Sequence, residues 1–304
     1  MIRTFLIGNG ESRKDFDLNV LKPYGKIYGC NAIYRDHPDL CDALIAVDAG
    51  MIHELYHNGM CADVPCYFRE WTKVPIHMYD TMLQSMLQTQ NKEQADLVVE
   101  NERGESDHFV MNAHTIKGPV VIRKANDDRE KKNIDNAHIY VSWIKEPDKS
   151  HNISECCFGA EDLGWCAGTT SGYVASLVEA PDEMYLIGQD LISDTKTVNN
   201  LYKSTRYYVS EHFEPNPSGI WETEWLTLMQ NNPNVKFYKV NKAFDDKPTN
   251  QKVERFAVQE DKNLEYITQA QLLDKMSKWW YYIIIIEFYL NYEIKKRVNS
   301  ITKV

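Results

Sequence analysis

The sequence predicts an α/β fold organised on a single parallel sheet, and three observations carry that expectation. Short β-rich runs in the N-terminal third alternate with loop and helix signals. Each run ends at its carboxyl end in a glycine or a polar residue. After residue 168 a helix-like segment again leads into an apolar run, Met184-Tyr185-Leu186-Ile187, which stops at Gly188.

In order along the chain, Thr4 to Ile7 reads as the first strand, closed by Asn9-Gly10, and Ser12 to Leu21 as a short helix or turn. Lys26 to Gly29 and Ala43 to Val47 follow as strands, the second ending in Asp48, and Val64 to Phe68 as a fourth. Asp80 to Gln88 has the 3.6-residue period of a helix. From Gln88 to Gly118 the chain turns polar, Lys124 to Asn136 is a charged, solvated stretch, and Ala137 to Ile144 fits an edge strand. Tyr173 to Glu179 reads as a helix stopped by Pro181, Thr223 to Asn231 as another, and Val235 to Val240 as the strand after it.

The chain has 304 residues with a formal net charge of −10, so a broad electrostatic grip on nucleic acid or an anionic membrane is not expected. Seven cysteines, odd in number and without a C-x-x-C pair, suit reduced structural thiols and a cytoplasmic setting. Neither the N-terminal run nor Trp279 to Ile286 is long enough to span a bilayer. The tail from 251 to 304 reads as an extension to a domain over 1 to 250. Its segment 279–297 fits packing on the body or on a second copy, or peripheral contact with a membrane, and its pattern leaves helix and strand open.

In a Rossmann-like sheet, ligands bind beyond the carboxyl ends of the strands, where the strand order reverses. Gly8-Asn9-Gly10, Asn31, Asp48, Thr170-Ser171-Gly172 and Gly188-Gln189-Asp190 all fall at such ends. Glycine lets a backbone approach a ligand closely, asparagine offers a donor and an acceptor to a base or ribose, and a helix start after Ser171 aims N–H groups at a phosphate.

The order Phe5-Leu6-Ile7-Gly8-Asn9-Gly10-Glu11-Ser12, Tyr28-Gly29-Cys30-Asn31, Thr170-Ser171-Gly172 and Tyr185-Leu186-Ile187-Gly188-Gln189-Asp190 resembles the bacterial lipooligosaccharide sialyltransferases. It is also similar to the wider sialyltransferase-like and motility-accessory-factor glycosyltransferases. The resemblance covers roughly residues 1 to 245, with an insertion between about 70 and 165. It implies a single nucleotide-binding domain with a mobile lid over about 190–222, and metal-independent, inverting transfer of a sugar from a CMP-sialic acid-like or other nucleotide sugar to an acceptor hydroxyl. No cofactor is implied beyond that co-substrate.

By that resemblance Asn9, Gly10, Asn31, Thr170, Ser171 and Asp190 would hold the donor, and by their places at the strand ends Gly8, Asp48, Gly172 and Gly188 join them. Tyr202, among the lid tyrosines Tyr202, Tyr207 and Tyr208, would stabilise the phosphate, and His212 would be the general base. This chain departs from the family where Cys166-Ala167-Gly168 replaces an arginine-bearing stretch, and where Ile192 stands for a tyrosine. A glycan is the expected acceptor, with modified viral DNA an alternative. Two readings of other classes stay open: a non-catalytic nucleotide-binding module, and a zinc peptidase through His53-Glu54-Leu55-Tyr56-His57, which matches H-E-x-x-H.

Overall fold

The computed structural model describes residues 1–69, 72–89, 98–113, 122–124, 139–156, 165–193, 196–215, 219–241, 243–244, 247–248 and 263–278. The first strands are β1 (Arg3–Ile7), β2 (Lys26–Cys30), β3 (Ala43–Ala46) and β4 (Cys66–Phe68). An inserted unit carries β5 (Val74–Pro75), β6 (Val98–Glu100), β7 (His108–Ala113), β8 (Ile122–Lys124) and β9 (Ile139–Trp143). The chain then adds β10 (Ser150–Asn152), β11 (Glu183–Ile187), β12 (Lys236–Asn241), a small hairpin of β13 (Ala243–Phe244) and β14 (Lys247–Pro248), and β15 (Leu264–Thr268). The helices are α1 (Ala49–His57), α2 (Met60–Asp63), α3 (Tyr79–Thr89), α4 (Ile153–Cys156), α5 (Ala167–Val178) and α6 (Ile220–Asn231), with a further helical stretch over 269–278.

The central sheet has eight strands in the order β10-β4-β3-β2-β1-β11-β12-β15, and every neighbouring pair is parallel. Every residue of β1 and β11 is buried, because helices cover both faces of a parallel sheet and leave no side for polar alternation. On one face Phe5, Ile7, Ile27, Leu44 and Tyr185 pack with Met51, Ile52 and Leu55 of α1 and with Leu272 and Met276. On the other, Leu6, Tyr28, Ile45, Met184 and Phe237 pack with Val174 and Ala175 of α5 and Trp225, Leu228 and Met229 of α6. The chain reaches β2, β3 and β4 on one side of β1 and β11, β12 and β15 on the other. The strand order therefore reverses between β1 and β11, which opens a crevice above their carboxyl ends.

The stretch over 70–165 holds a second sheet, ordered β5-β7-β9-β6-β8, whose core joins Val98, Phe109, Ile139, Val141 and Trp143 to α3 through Tyr79, Met82 and Leu83. Its strands β6 and β7 lie within the polar stretch from Gln88 that the sequence pattern leaves unstructured. β9 is an interior strand, paired with both β6 and β7, rather than the expected edge.

The domain boundary expected at 250 needs correction. β15 pairs with β12 from Phe237↔Leu264 to Asn241↔Thr268, so the main sheet runs past that point. The stretch over 269–278 buries Leu272 and Met276 in the same core, and Lys275 donates to the Tyr238 hydroxyl at 2.8 Å and pairs with Glu183 at 3.4 Å. The segment 279–297, for which packing or membrane contact is expected, lies outside the described residues. No helix among the described residues is long and apolar enough to cross a membrane.

Because Leu272 is fully buried in the main core, Leu272→Ala is expected to destabilise the whole domain by about 2–5 kcal/mol. Urea unfolding followed by circular dichroism reads this as a shift of the main transition. An unshifted main transition would mean that 263–278 is an appended extension.

Candidate functional site

The reversal point is built by two loops in contact. After β1 the Gly8 amide donates to the Ile187 carbonyl at 2.8 Å, and the Gly10 amide to the Gly188 carbonyl at 2.7 Å. Gly188 takes φ +64, a left-handed conformation that other residues adopt only with strain. A Cβ on Gly10 would fall 2.3 Å from the Asp190 carboxyl carbon, so the close approach of the loops requires the missing side chain. Asp190 in turn accepts from the Ser12 amide at 2.8 Å and ties the turn after β1 to the end of β11.

Beneath these loops lies Arg13, 3% exposed, which donates from Nε to the Gly8 carbonyl at 2.7 Å and from Nη2 to the Tyr202 hydroxyl at 3.2 Å. It makes no ion pair among the described residues. A buried cation without a carboxylate is costly, and an anion bound near it would offset part of that cost.

The crevice has a narrow and a wide half. The narrow half, about 140 Å³, is lined by Gly8, Asn9, Gly10, Asn31, Gly188 and Asp190, and across it by Ala167, Gly168, Trp221 and Trp225. The wide half, about 590 Å³, is bordered by Asp48, Arg69, Trp165, Phe213, Glu214 and Glu224. Asn31, Cys166, Ala167, Asn200 and Trp221 line both, so the halves meet at the start of α5.

Several polar atoms at the narrow half have no partner. The Asn9 and Asn31 side-chain carbonyls and the Trp225 indole Nε1–H are buried and unsatisfied, the last on a residue with no exposure at all. Asn31 holds φ +52, a conformation asparagine tolerates better than most residues. Two stranded acceptors, one stranded donor and the first-turn amides of α5 form a set that a polar ligand would complete.

The residues expected to hold the donor divide between the crevice and the scaffold. Gly8, Asn9, Gly10, Asn31, Gly188 and Asp190 line the narrow half, and Asp48 the wide half. Asp48 precedes α1 without capping it through its side chain, and its carboxylate has no hydrogen-bond partner among the described residues.

Thr170, Ser171 and Gly172 do not reach the crevice. α5 begins at Ala167, not after Ser171, so these residues sit inside its first turns. Thr170 Oγ1 donates to the Trp165 carbonyl at 3.3 Å, Ser171 Oγ to the Gly168 carbonyl at 2.6 Å, and Gly172 abuts Trp225 and Leu228 where α5 meets α6. The helix start is Cys166-Ala167-Gly168, with the Cys166 amide donating to Glu224.

Tyr202 and His212 are also corrected. Tyr202 is 4% exposed and packs in the main core with its hydroxyl on Arg13, and burial pushes that hydroxyl up to about 12. The His212 side chain is 85% exposed beside Glu211 and borders neither half of the crevice. The segment expected to be a loose lid is anchored where it is described: Leu201 N donates to Asn9 O at 2.8 Å, Lys203 pairs with Glu11 at 2.7 Å, and Asn199 accepts from Glu11 N at 2.8 Å. The Tyr208 hydroxyl accepts from Asn9 Nδ2 at 3.0 Å and from Ala32 N at 3.3 Å, bridging the loops after β1 and β2.

The H-E-x-x-H segment is α1, and it faces away from zinc chemistry. Both Glu54 oxygens are taken by Arg35 at 2.7 Å, with Tyr34 donating to one of them, so the carboxylate is not free to act as a base. His53 is buried against the second sheet, its Nδ1 3.1 Å from Ser142 Oγ and its ring against Tyr140.

The side chains that sequence reading missed are Arg13, Trp221, Glu224 and Trp225. Trp225 reads as part of an ordinary apolar helix face and Trp221 falls in the expected lid, and only the start of α6 at Ile220 and its pairing with α5 bring both to the crevice. Compared with protein-family models, curated protein sequences and solved structures, the chain matches none.

Burial pushes the His53 imidazole down to about 3 from 6.5, with Arg206 and His57 adding to the effect. Between those values the unfolded chain binds a proton that the folded one refuses, so this residue's effect is absent above pH 6.5 and destabilises increasingly as pH falls. The expected slope is about 1.4 kcal/mol per pH unit. His53→Gln should flatten the decline in urea stability between pH 6.5 and 5 relative to the parent, and equal slopes would refute the burial argument.

Proposed function

We propose that the chain is a glycosyltransferase that binds a nucleotide sugar in the reversal-point crevice and transfers the sugar to an acceptor hydroxyl. The observation that carries this reading is the set of stranded polar groups above the unpaired, buried Arg13. The Asn9 and Asn31 carbonyls call for donors such as a base amine or ribose hydroxyls, and Trp225 Nε1–H calls for an acceptor. The α5 amides at Ala167 and Gly168, with the fixed charge of Arg13 behind Gly188, suit a phosphate. The resemblance of the Gly8-Asn9-Gly10, Asn31 and Gly188-Gln189-Asp190 blocks to sialyltransferase-like enzymes points the same way.

In this reading the nucleoside lies over Asn9 and Asn31, the phosphate at the start of α5, and the sugar in the wide half. Asp48, unpartnered and facing that half, takes the proton from the acceptor hydroxyl as it attacks the anomeric carbon, in the role first expected of His212. The phosphate leaves on the opposite face with its developing charge held by the α5 amides, and a single displacement inverts the anomeric centre. Trp165, Trp221 and Phe213 offer flat apolar faces for sugar rings. The rim carboxylates Asp48, Glu214 and Glu224 oppose a nucleic-acid backbone, which favours a glycan over DNA as acceptor.

Calorimetric titration with CMP, UDP and GDP, followed by hydrolysis and transfer assays with the corresponding sugars, tests the reading. Asp48→Asn should keep nucleotide affinity while lowering turnover by about 10² to 10⁴. His212→Ala should stay within about threefold of the parent, far less than a lost base costs. Turnover should persist in EDTA, since Arg13 and the α5 amides already offset the phosphate charge. Binding without turnover would leave a nucleotide-binding module, and absence of binding would end the proposal.

A further inference from the structure

The start of α5 is the natural seat for an anion in this crevice, and a carboxylate of the chain already occupies part of it. Glu224, projecting from α6, accepts from the Cys166 amide at 3.1 Å and from Thr169 Oγ1 at 3.0 Å, both through Oε2. Cys166 itself sits at the cap without bonding a helix amide through its thiol, which lies 3.5 Å from Thr169 Oγ1. Glu224 borders the wide half, and its Oε1 makes no hydrogen bond among the described residues.

The charges around it are one-sided. Asp48 and Glu214 line the same half, against a single arginine, Arg69, which donates to the Trp165 carbonyl. Arg13 serves the other end, behind Gly188. Next to Glu224 on α6, the fully buried Trp225 lines the narrow half and carries an Nε1–H with no partner, a second, independent sign that this wall meets a ligand.

We infer that the donor carries a neutral, hydroxyl-bearing sugar and that Glu224 selects against a carboxylated one. The inference rests on the nucleotide-sugar reading. A sugar hydroxyl can donate to the open Oε1, whereas a sugar carboxylate would meet like charge and find the capping positions at Cys166 and Thr169 taken. Discrimination by an unpaired or repelling charge is a way to reject a competitor of the same shape.

The test compares donors that share a nucleotide: UDP-glucose with UDP-glucuronate, GDP-mannose with GDP-mannuronate, and CMP with CMP-sialic acid, each by calorimetry on the full chain. For the nucleotide that binds, the neutral member, or CMP alone, should bind at least about tenfold tighter than the carboxylated one, a difference of about 1.4 kcal/mol. Glu224→Gln keeps an oxygen for Cys166 and Thr169 but drops the charge, and should narrow the gap at least about threefold by strengthening the carboxylated member. Glu224→Asp keeps the charge and should keep the gap, so the pair of variants decides even if one of them folds poorly.

Equal or tighter binding of the carboxylated member by the parent overturns the inference and leaves the nucleotide reading standing. A gap unchanged in Glu224→Gln removes Glu224 as its source. If none of the nucleotides or their sugars binds, the nucleotide reading itself fails and the inference falls with it.

Discussion

The molecule turns on the contact between the loops that follow β1 and β11. Their glycines let two backbones meet, with Gly10 donating to the Gly188 carbonyl and Asp190 filling the space a Gly10 side chain would need. The Arg13 guanidinium lies under that contact and holds the Gly8 carbonyl. Moving either loop would at once expose or misplace a buried cation and unseat the Ser12 amide from Asp190. The same contact sets the floor of the crevice, so the rest of the site is positioned relative to it. A site built on strand ends and glycine contacts is more rigid than one carried by long loops.

Much of the sheet was legible in the sequence because strands buried on both faces leave continuous apolar runs, and β1, β2, β3, β11 and β12 fall within a residue or two of the expected segments. Gly8, Asn9, Gly10, Asn31, Gly188 and Asp190 were legible for the same reason, as residues that follow those runs. β6, β7 and β15 escaped because polar residues interrupt their apolar runs and partners distant in sequence make them strands. α5 was placed too late because Gly168-Thr169-Thr170-Ser171 resembles a loop. Once Glu224 from α6 satisfies Cys166 and Thr169, the helix can begin at Ala167. A tertiary contact thus outweighed local propensity.

His212 and the zinc-like motif fail for a related reason: linear order does not report direction. His212 follows the Asp190 block in sequence, yet the turns over 201–213 lead it outward while Tyr202 and Tyr208 turn inward. In α1, Glu54 swings to Arg35 and His53 to Ser142, so neighbouring motif residues serve two different interfaces. The tyrosines show the opposite outcome. Their rings add apolar area to a mainly polar segment, and the Tyr208 hydroxyl meets donors on two loops at once, so that segment becomes a docked wall of the crevice.

The distribution of charge then gives the crevice a polarity. One end has a buried arginine and stranded amide carbonyls, the other has three carboxylates and an arginine already donating to a backbone carbonyl, and between them lie the first-turn amides of α5. A nucleotide sugar is an asymmetric ligand of the same kind, with a polar nucleoside, an anionic centre and a hydroxylated sugar. Reversing it would set the ring-nitrogen and carbonyl acceptors of its base against those carboxylates, with their hydrogen bonds unmade. Burying an unmet acceptor costs about 1–3 kcal/mol. On the proposed reading that cost would favour a single orientation, with the anomeric carbon toward Asp48 rather than toward Asp190, already bonded to the Ser12 amide.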